Sequence, residues 1–161
     1  MFKFLNNNLI AVFLSFSILV LLSAYFIEYV LGYEACSLCL IGRIPYFFII
    51  TFSLIFFFFK KIKKIILLLI FISFLSSIII SFYHFGIEQG FFDESLVCQI
   101  KWLGQSTSTD ELLQELKNNT SKSCRNVDFK IFGLSLATIN LFISLILSII
   151  TFKAILKNEK N

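Results

Sequence analysis

Four long apolar segments, separated by shorter polar stretches, dominate the pattern of the chain. A helix needs about 20 mainly apolar residues to cross the hydrocarbon core of a bilayer. Three of the segments meet that length directly, and the second does so if it begins near Leu40. The pattern therefore predicts an all-α membrane protein, a bundle of four transmembrane helices in a single integral membrane domain over residues 1–161. The predicted helices cover about residues 9–30, 40–59, 65–84 and 131–152.

Composition agrees with lipid as the solvent for most of the chain. The sequence is 58% hydrophobic and 15% charged, whereas soluble domains are about 45–50% apolar and about 25% charged. The net charge of +4 is modest, and no basic stripe alternates with exposed aromatic residues, so nucleic-acid binding is not expected. Gly-rich phosphate loops, HExxH and GxSxG motifs are also missing from the sequence, which excludes most soluble enzyme classes.

The basic residues predict an orientation. The sequence "KKIKK" at 60–64 fills the link between the second and third segments, and Lys3 precedes the first. Three more lysines follow the fourth segment, namely Lys153, Lys157 and Lys160. Because loops rich in Lys and Arg stay in the cytoplasm, both termini are expected there. In a bacterium-like plan the membrane would be the inner membrane. A short loop at about 31–39 and a long one at about 85–130 are then periplasmic.

The long loop contains one candidate element, "STDELLQELK" at 108–117. Ser108 followed by Glu111 fits a capping box at the start of a helix. Three leucines would form one apolar stripe on that helix: Leu112, Leu113 and Leu116. The pattern fits an amphipathic helix on the membrane surface and a solvated loop helix equally well.

All four cysteines fall on the predicted periplasmic side, where disulfides persist. Cys36 and Cys39 form a CxxC pair, whereas Cys98 and Cys124 are well separated in the long loop. A CxxC disulfide closes almost no chain, and such pairs are more often redox-active than structural. The difference in spacing between the two pairs favours one redox pair at the membrane and one exchange pair in the loop. Four cysteines nevertheless allow three pairings, and the sequence does not choose among them.

Two non-catalytic interpretations compete with a redox role. A disulfide between Cys98 and Cys124 could simply stabilise the long loop by closing it. A zinc site usually takes two closely spaced cysteine pairs, but only one is present here. Zinc also needs reduced thiolates, which an oxidising compartment disfavours, so no metal site is expected.

Local chemistry around the CxxC pair favours a reactive Cys39. This residue is predicted at the start of the second helix, where free N–H groups and the helix dipole favour an anion. Arg43 follows four residues later, one helical turn away. Both effects stabilise the thiolate, which is the nucleophilic form of cysteine. Arg43 could instead be an interfacial cation that extends to water, and Pro45 fits a structural role in a first helical turn.

His84 is the single histidine and lies at the outer end of the third segment. It could line a cofactor site, or it could cap the helix C-terminus, where the dipole favours a cation. Glu88 follows one turn later and is a potential partner in either case. Asn140 lies inside the fourth segment, where an amide more often links helices than takes part in catalysis.

With these residues in view, the sequence resembles the disulfide bond formation protein B (DsbB) family of quinone-dependent membrane thiol oxidoreductases. "CSLCLIGRIPY" is similar to the CxLCxxxRxPY block of that family. "YHFGIEQGFF" at 83–92 resembles its His-x-Gly-x-Glu block, and "FGLSLATIN" at 132–140 resembles the start of its fourth helix. The sequence departs from the family where tryptophans are replaced by Phe91, Phe92 and Ile139.

The resemblance implies a disulfide-generating enzyme with two redox disulfides, Cys98–Cys124 and Cys36–Cys39. The first would accept electrons from a periplasmic thioredoxin-fold dithiol protein of the DsbA type, which would attack Cys98. Cys36 would then exchange with Cys124. The chain is expected to act as a monomer.

The resemblance also implies the electron acceptor. Cys39 would pass electrons to ubiquinone or menaquinone held near Arg43, and His84 is a second candidate for that cofactor site. A vitamin K epoxide reductase-like protein also places a CxxC beside a quinone. In such proteins the motif would follow a later helix, so the order seen here disfavours that alternative.

Overall fold

The computed structural model describes residues 2–33, 35–93, 98, 124, 130–131 and 134–159. The candidate helix at 108–117 lies outside these residues. The helices in chain order are α1 (Phe2–Tyr29), α2 (Ser37–Ile41), α3 (Ile44–Phe58), α4 (Lys63–Glu88) and α5 (Leu136–Glu159). The remaining elements are a 3₁₀ turn (Lys60–Ile62) and two short strands, β1 (Lys130–Ile131) and β2 (Leu134–Ser135).

Within the described residues, four helical segments are long and apolar enough to cross a membrane. They are Asn8–Tyr29, Ser37–Phe58, Lys60–Glu88 and Leu136–Lys157. The prediction of an all-α membrane protein with four spanning helices is confirmed. Large apolar side chains such as Phe58 (82% exposed) and Ile79 (68% exposed) cover the outside of the bundle. Such surfaces suit lipid, so this is a multi-pass membrane protein.

The second span consists of two helices joined by a break. It was predicted at about 40–59, but it begins at Ser37 and is interrupted at Gly42 and Arg43. Both of these residues keep nearly helical backbone angles. Pro45, however, has no N–H to donate to the carbonyl four residues earlier. Helix α3 therefore starts anew with Pro45 in its first turn, where proline is favoured.

The fourth span begins at Leu136 rather than at about residue 131. The preceding residues form a small antiparallel ladder in which Lys130 pairs with Ser135 and Ile131 with Leu134. Ser135 then accepts a hydrogen bond from the Thr138 backbone N–H at 3.2 Å. A serine that accepts a free N–H in this way marks the start of a helix. Because of the strand pair and this cap, α5 begins later in the chain than predicted.

The helices pack in the order α1, α3, α4 and α5, with the most extensive contact between α4 and α5. Where α1, α3 and α4 meet, the core is apolar and contains fully buried Phe13, Ile49 and Phe74. The face of α4 that contacts α5 carries buried serines at one-turn intervals: Ser73, Ser77 and Ser81. Small residues let membrane helices approach closely, and their hydroxyls link the helices by hydrogen bonds.

Candidate functional site

The CxxC pair is arranged by the first turn of α2. Cys36 is the N-cap residue, and its Sγ accepts the backbone N–H of Cys39 at 3.3 Å. The cap brings the two sulfurs onto one face, with the Sγ atoms 2.7 Å apart and both cysteines free. A disulfide has an S–S distance of about 2.05 Å. Closing the bond therefore needs only a small movement of the side chains.

Cys36 is the better stabilised thiolate of the pair. A hydrogen bond from the Cys39 thiol lowers the pKa of Cys36 well below its ordinary value, and this outweighs the opposing effect of burial. His84 lowers the Cys36 pKa further through a hydrogen bond and its charge. The helix N-terminus was expected to stabilise Cys39, but the capping N–H points to Cys36 instead, because Cys36 precedes the helix and Cys39 lies within it.

His84 lies between the two cysteine pairs. Its Nε2 is 3.7 Å from Cys36 Sγ and 3.5 Å from a carboxylate oxygen of Glu88. The ring also forms a hydrogen bond with the backbone of Cys124. Only 5% of His84 is exposed, and Glu88 is its partner one turn further along α4. The histidine can therefore hold a proton next to the Cys36 sulfur.

The second cysteine pair packs against the first. Cys98 and Cys124 are joined in a disulfide with their Cα atoms 5.9 Å apart. Both are buried in a small cluster with Leu38 of α2 and Ile87 of α4, and Cys36 packs against that cluster. Residues that are far apart in the sequence thus bring both cysteine pairs to the same end of the bundle.

Arg43 binds to α1. Its Nη1 lies 2.6 Å from Glu28 Oε2, and its guanidinium carbon lies 4.9 Å from the centre of the Tyr25 ring. The positive charge still interacts with the Cys39 sulfur. Sequence reasoning overlooked Glu28, although it is the one acidic residue of α1 and lies at the end of its apolar segment. That isolated carboxylate was the available signal.

A cavity of about 470 Å³ lies beside the CxxC pair, between α1, α3, α4 and α5. Its walls are mainly apolar, with residues such as Phe16, Leu19 and Ile143. Polar groups line part of it, including Cys36, Cys39, Arg43, Glu28 and His84. The volume and the mostly apolar lining are typical of a small-molecule site with a few orienting polar groups.

A buried polar network reaches another part of the cavity wall. The Tyr46 hydroxyl of α3 donates to Asn140 Oδ1 of α5. Asn140 Nδ2 in turn donates to Ser81 Oγ at 2.7 Å and to Ser77 Oγ at 3.3 Å, both on α4. The amide thus links three helices, as expected of a polar residue inside a membrane span. Sequence reasoning gave Tyr46 no role of its own, although it ends the "CSLCLIGRIPY" block.

Three potential metal ligands lie close together at this site. The ligand atoms of Cys36, Cys39 and His84 lie within 4.8 Å of one another. Two thiolates on one tetrahedral zinc, each at about 2.3 Å from the metal, would be about 3.8 Å apart. The observed sulfur separation of 2.7 Å lies closer to that of a disulfide than to that of a zinc pair. The arrangement therefore fits thiol–disulfide chemistry better than zinc binding.

Comparisons with known proteins point to the same chemistry. The family described as "Disulfide bond formation protein DsbB" matches residues 6–154. An uncharacterized protein of Rickettsia prowazekii (strain Madrid E) is 34% identical over 149 residues, which cover 92% of this chain and 84% of that protein. No solved structure gives a significant match. The chain belongs to the DsbB family of membrane oxidoreductases that generate disulfide bonds.

Proposed function

We propose that this protein oxidises a periplasmic thioredoxin-fold dithiol protein of the DsbA type and passes the electrons to membrane ubiquinone or menaquinone. The observation that carries the proposal is the position of the CxxC pair. It lies between a buried second disulfide on one side and an apolar cavity on the other. Electrons can therefore enter through one cysteine pair and leave through the other.

The first half of the reaction is disulfide exchange. A thiolate of the partner attacks Cys98, the Cys98–Cys124 bond breaks, and Cys124 leaves as a thiolate. The second partner thiol then displaces Cys98, so the partner becomes a disulfide and this pair becomes two thiols. Two electrons and two protons have moved from the partner to Cys98 and Cys124.

The second exchange regenerates the loop disulfide. Cys124 attacks Cys36, Cys39 leaves as a thiolate, and Cys98 then attacks Cys124 and releases Cys36. The Cys36 thiolate is a good leaving group because the Cys39 backbone N–H, the Cys39 thiol and His84 stabilise it. His84 is placed to hold a proton at Nε2, next to the released sulfur.

The cavity residues fit a quinone. A lipid-soluble ring needs apolar walls and a few polar groups that orient its oxygens, and this cavity has both. Cys39 and Arg43 of α2 and the following turn would hold the ring beside the thiol pair. When bound, a quinone accepts two electrons and two protons, which matches what the Cys36–Cys39 dithiol releases on closing its disulfide.

The redox energetics require stabilised thiolates. A partner of the DsbA type has a potential near about −120 mV, whereas structural disulfides lie below about −300 mV. A disulfide that oxidises such a partner must therefore have unusually stable reduced sulfurs. The hydrogen bonds to Cys36 supply that stabilisation for the CxxC pair.

The same proposal includes a location and an orientation. The site faces the periplasm and both termini face the cytoplasm of an inner membrane, with a single chain as the working unit. Support comes from the lysines at 60–64, which lie at the opposite end of the bundle from Cys36 and His84, since loops rich in lysine stay in the cytoplasm. A thiol reagent that cannot cross membranes should label reduced Cys36 from the periplasmic side of intact cells. Labelling only after the inner membrane is opened would contradict this orientation.

The activity is tested with Cys39→Ser. The purified protein is mixed with a reduced DsbA-type partner and a soluble ubiquinone or menaquinone analogue, and quinone absorbance is followed. Since Cys39 is the proposed electron donor, turnover should fall at least about 100-fold, as expected when a redox nucleophile is removed. Ser76→Ala, on the exposed face of α4, is the control and should keep full turnover. Undiminished turnover in Cys39→Ser would refute the assignment.

A further inference from the structure

We propose that Glu28 is a positioning residue for the redox site, which holds the Arg43 guanidinium at the cavity wall and offsets part of its charge. Glu28 thereby sets how strongly the Cys36–Cys39 disulfide oxidises. The inference rests on the proposed function for its biological meaning. Its central measurement, however, needs no quinone.

The geometry of the pair is specific. Glu28 Oε2 lies 2.6 Å from Arg43 Nη1, and the Tyr25 ring lies 4.9 Å from the guanidinium carbon. Tyr25 and Glu28 are three residues apart and so occupy the same face of α1. Helix α1 therefore holds the Arg43 guanidinium in two ways: Glu28 pairs with its charge, and the Tyr25 ring packs against its flat face.

The position of the pair connects it to the cysteines. Glu28, Arg43 and Cys39 all line the cavity, and the Arg43 charge interacts with the Cys39 sulfur. The side chains are largely enclosed, with 11% of Arg43 and 23% of Glu28 exposed. Electrostatic interactions are stronger in such surroundings than in water, so a change in net charge here should affect the sulfurs.

Charged residues are scarce in this part of the chain, which supports a functional role for the Glu28–Arg43 pair. Arg43 is the only Lys or Arg between Lys3 and Lys60, and Glu28 is the only acidic residue in α1. Charged residues near a membrane span are rare and usually mark a functional pathway. A pair that only anchored α1 to α3 would not need to line the cavity beside the CxxC motif.

Two substitutions separate the two effects of Glu28. Glu28→Gln keeps an oxygen that can accept from Arg43 but removes the negative charge. The full Arg43 charge then favours the thiolate form of the site, so the disulfide should become more oxidising. Glu28→Ala removes the anchor as well, so Arg43 should lose its position and quinone binding should weaken.

The first measurement is the equilibrium of the Cys36–Cys39 pair with glutathione buffers, read by trapping free thiols and mass spectrometry. Glu28→Gln should shift it about tenfold toward the dithiol, which equals about 30 mV. Asp93→Asn, which removes an exposed carboxylate just after α4, should leave it unchanged. An equilibrium in Glu28→Gln within twofold of the natural protein would overturn the charge-offset role.

The second measurement separates positioning from a merely structural contact. Glu28→Ala should raise KM for the quinone analogue about tenfold without changing KM for the dithiol partner, and Glu28→Asp should restore part of the affinity. Equal KM values for Glu28→Ala and the natural protein would overturn the positioning role. If Glu28→Ala does not fold, the Glu28→Gln equilibrium still decides the proposal.

A double variant and the unmodified protein complete the design. In an Arg43→Gln background, Glu28→Ala should no longer raise KM for the quinone analogue, because its positioning effect acts through Arg43. A full rise in KM in that background would contradict the positioning role. If the natural protein fails to reduce quinone, the proposed function fails, whereas the glutathione equilibrium still tests Glu28.

Discussion

Three donors converge on the sulfur of Cys36, and each has a different origin. The backbone N–H of Cys39 comes from the first turn of α2. The Cys39 thiol, which donates to the Cys36 thiolate, comes from the CxxC spacing, and His84 comes from the end of α4. The first two are local and would accompany many CxxC motifs at a helix start. His84 is the contribution of tertiary structure, and it can be removed without changing the motif.

The pH dependence of Cys36 reactivity should reveal His84. Because the pKa of Cys36 is lowered, the thiolate persists as pH falls below the ordinary thiol value of about 8.5. It is lost only when pH passes through the lowered pKa. Alkylation of reduced Cys36, located by mass spectrometry, should therefore stay fast in mildly acidic buffer. In His84→Gln the fall should begin about one pH unit higher, so that below the Cys36 pKa of the natural protein the two rates differ by about tenfold, as one pKa unit implies.

Tyr83→Phe is the matched control for His84→Gln, since it changes the preceding residue and leaves the imidazole in place. Its pH profile should coincide with that of the natural protein. Identical profiles for His84→Gln and the natural protein would show that His84 contributes nothing to the Cys36 thiolate.

The end of α4 is the element that positions His84, and a glycine shapes it. Gly90 has a positive φ of 77° and ends the helix, with the Phe91 N–H donating back to the Gly86 carbonyl at 2.8 Å. The chain then turns so that the Phe92 ring lies over Gly86, where a Cβ would collide with the ring. The close approach of Phe92 therefore requires glycine at position 86.

Gly86→Ala should destabilise the protein by about 1–3 kcal/mol, the usual cost of inserting a methyl group into a packed site. Thermal unfolding in detergent measures the loss. Gly42→Ala is the control: a Cβ there would meet backbone carbonyls at 3.4 and 3.5 Å, which is ordinary contact. It should change stability by less than about 0.5 kcal/mol. Equal melting of the two variants would contradict the role of the Phe92 contact.

At the element scale, sequence reasoning succeeded where the signal is local and missed what depends on packing. Hydrophobic length predicted the four spans, because lipid requires continuous apolar helices. The strands β1 and β2, which precede α5, have two residues each. That is too short for an alternation of apolar and polar residues to appear in the sequence. The isolated carboxylate marks Glu28 in the sequence, but its binding to Arg43 depends on how α1 and α3 pack. The contact between Phe92 and Gly86 was hidden for the same reason.

At the scale of the whole molecule, a network of hydrogen bonds holds the helices together, whereas in a water-soluble protein the burial of apolar surface does most of this. Lipid gives helices no hydrophobic reason to associate, so small residues and hydrogen bonds contribute more of the packing energy. Here Asn140 connects α5 to Tyr46 on α3 and to Ser77 and Ser81 on α4. Ser77 and Ser144 extend the network with a contact of 3.0 Å. The network lies next to the cavity and so fixes the helices that shape it.

Asn140→Leu should therefore loosen the bundle as a whole. The leucine fills similar space but leaves three polar partners without the amide, at a cost of about 1–2 kcal/mol in a membrane protein. Unfolding by a denaturing detergent measures it, with Ser76→Ala, whose hydroxyl bonds only within α4, as the neutral control. Tyr46→Phe should be less destabilising in the Asn140→Leu background than alone, because the two side chains share one hydrogen bond. Additive losses, or no loss in Asn140→Leu, would show that apolar packing alone holds the three helices together.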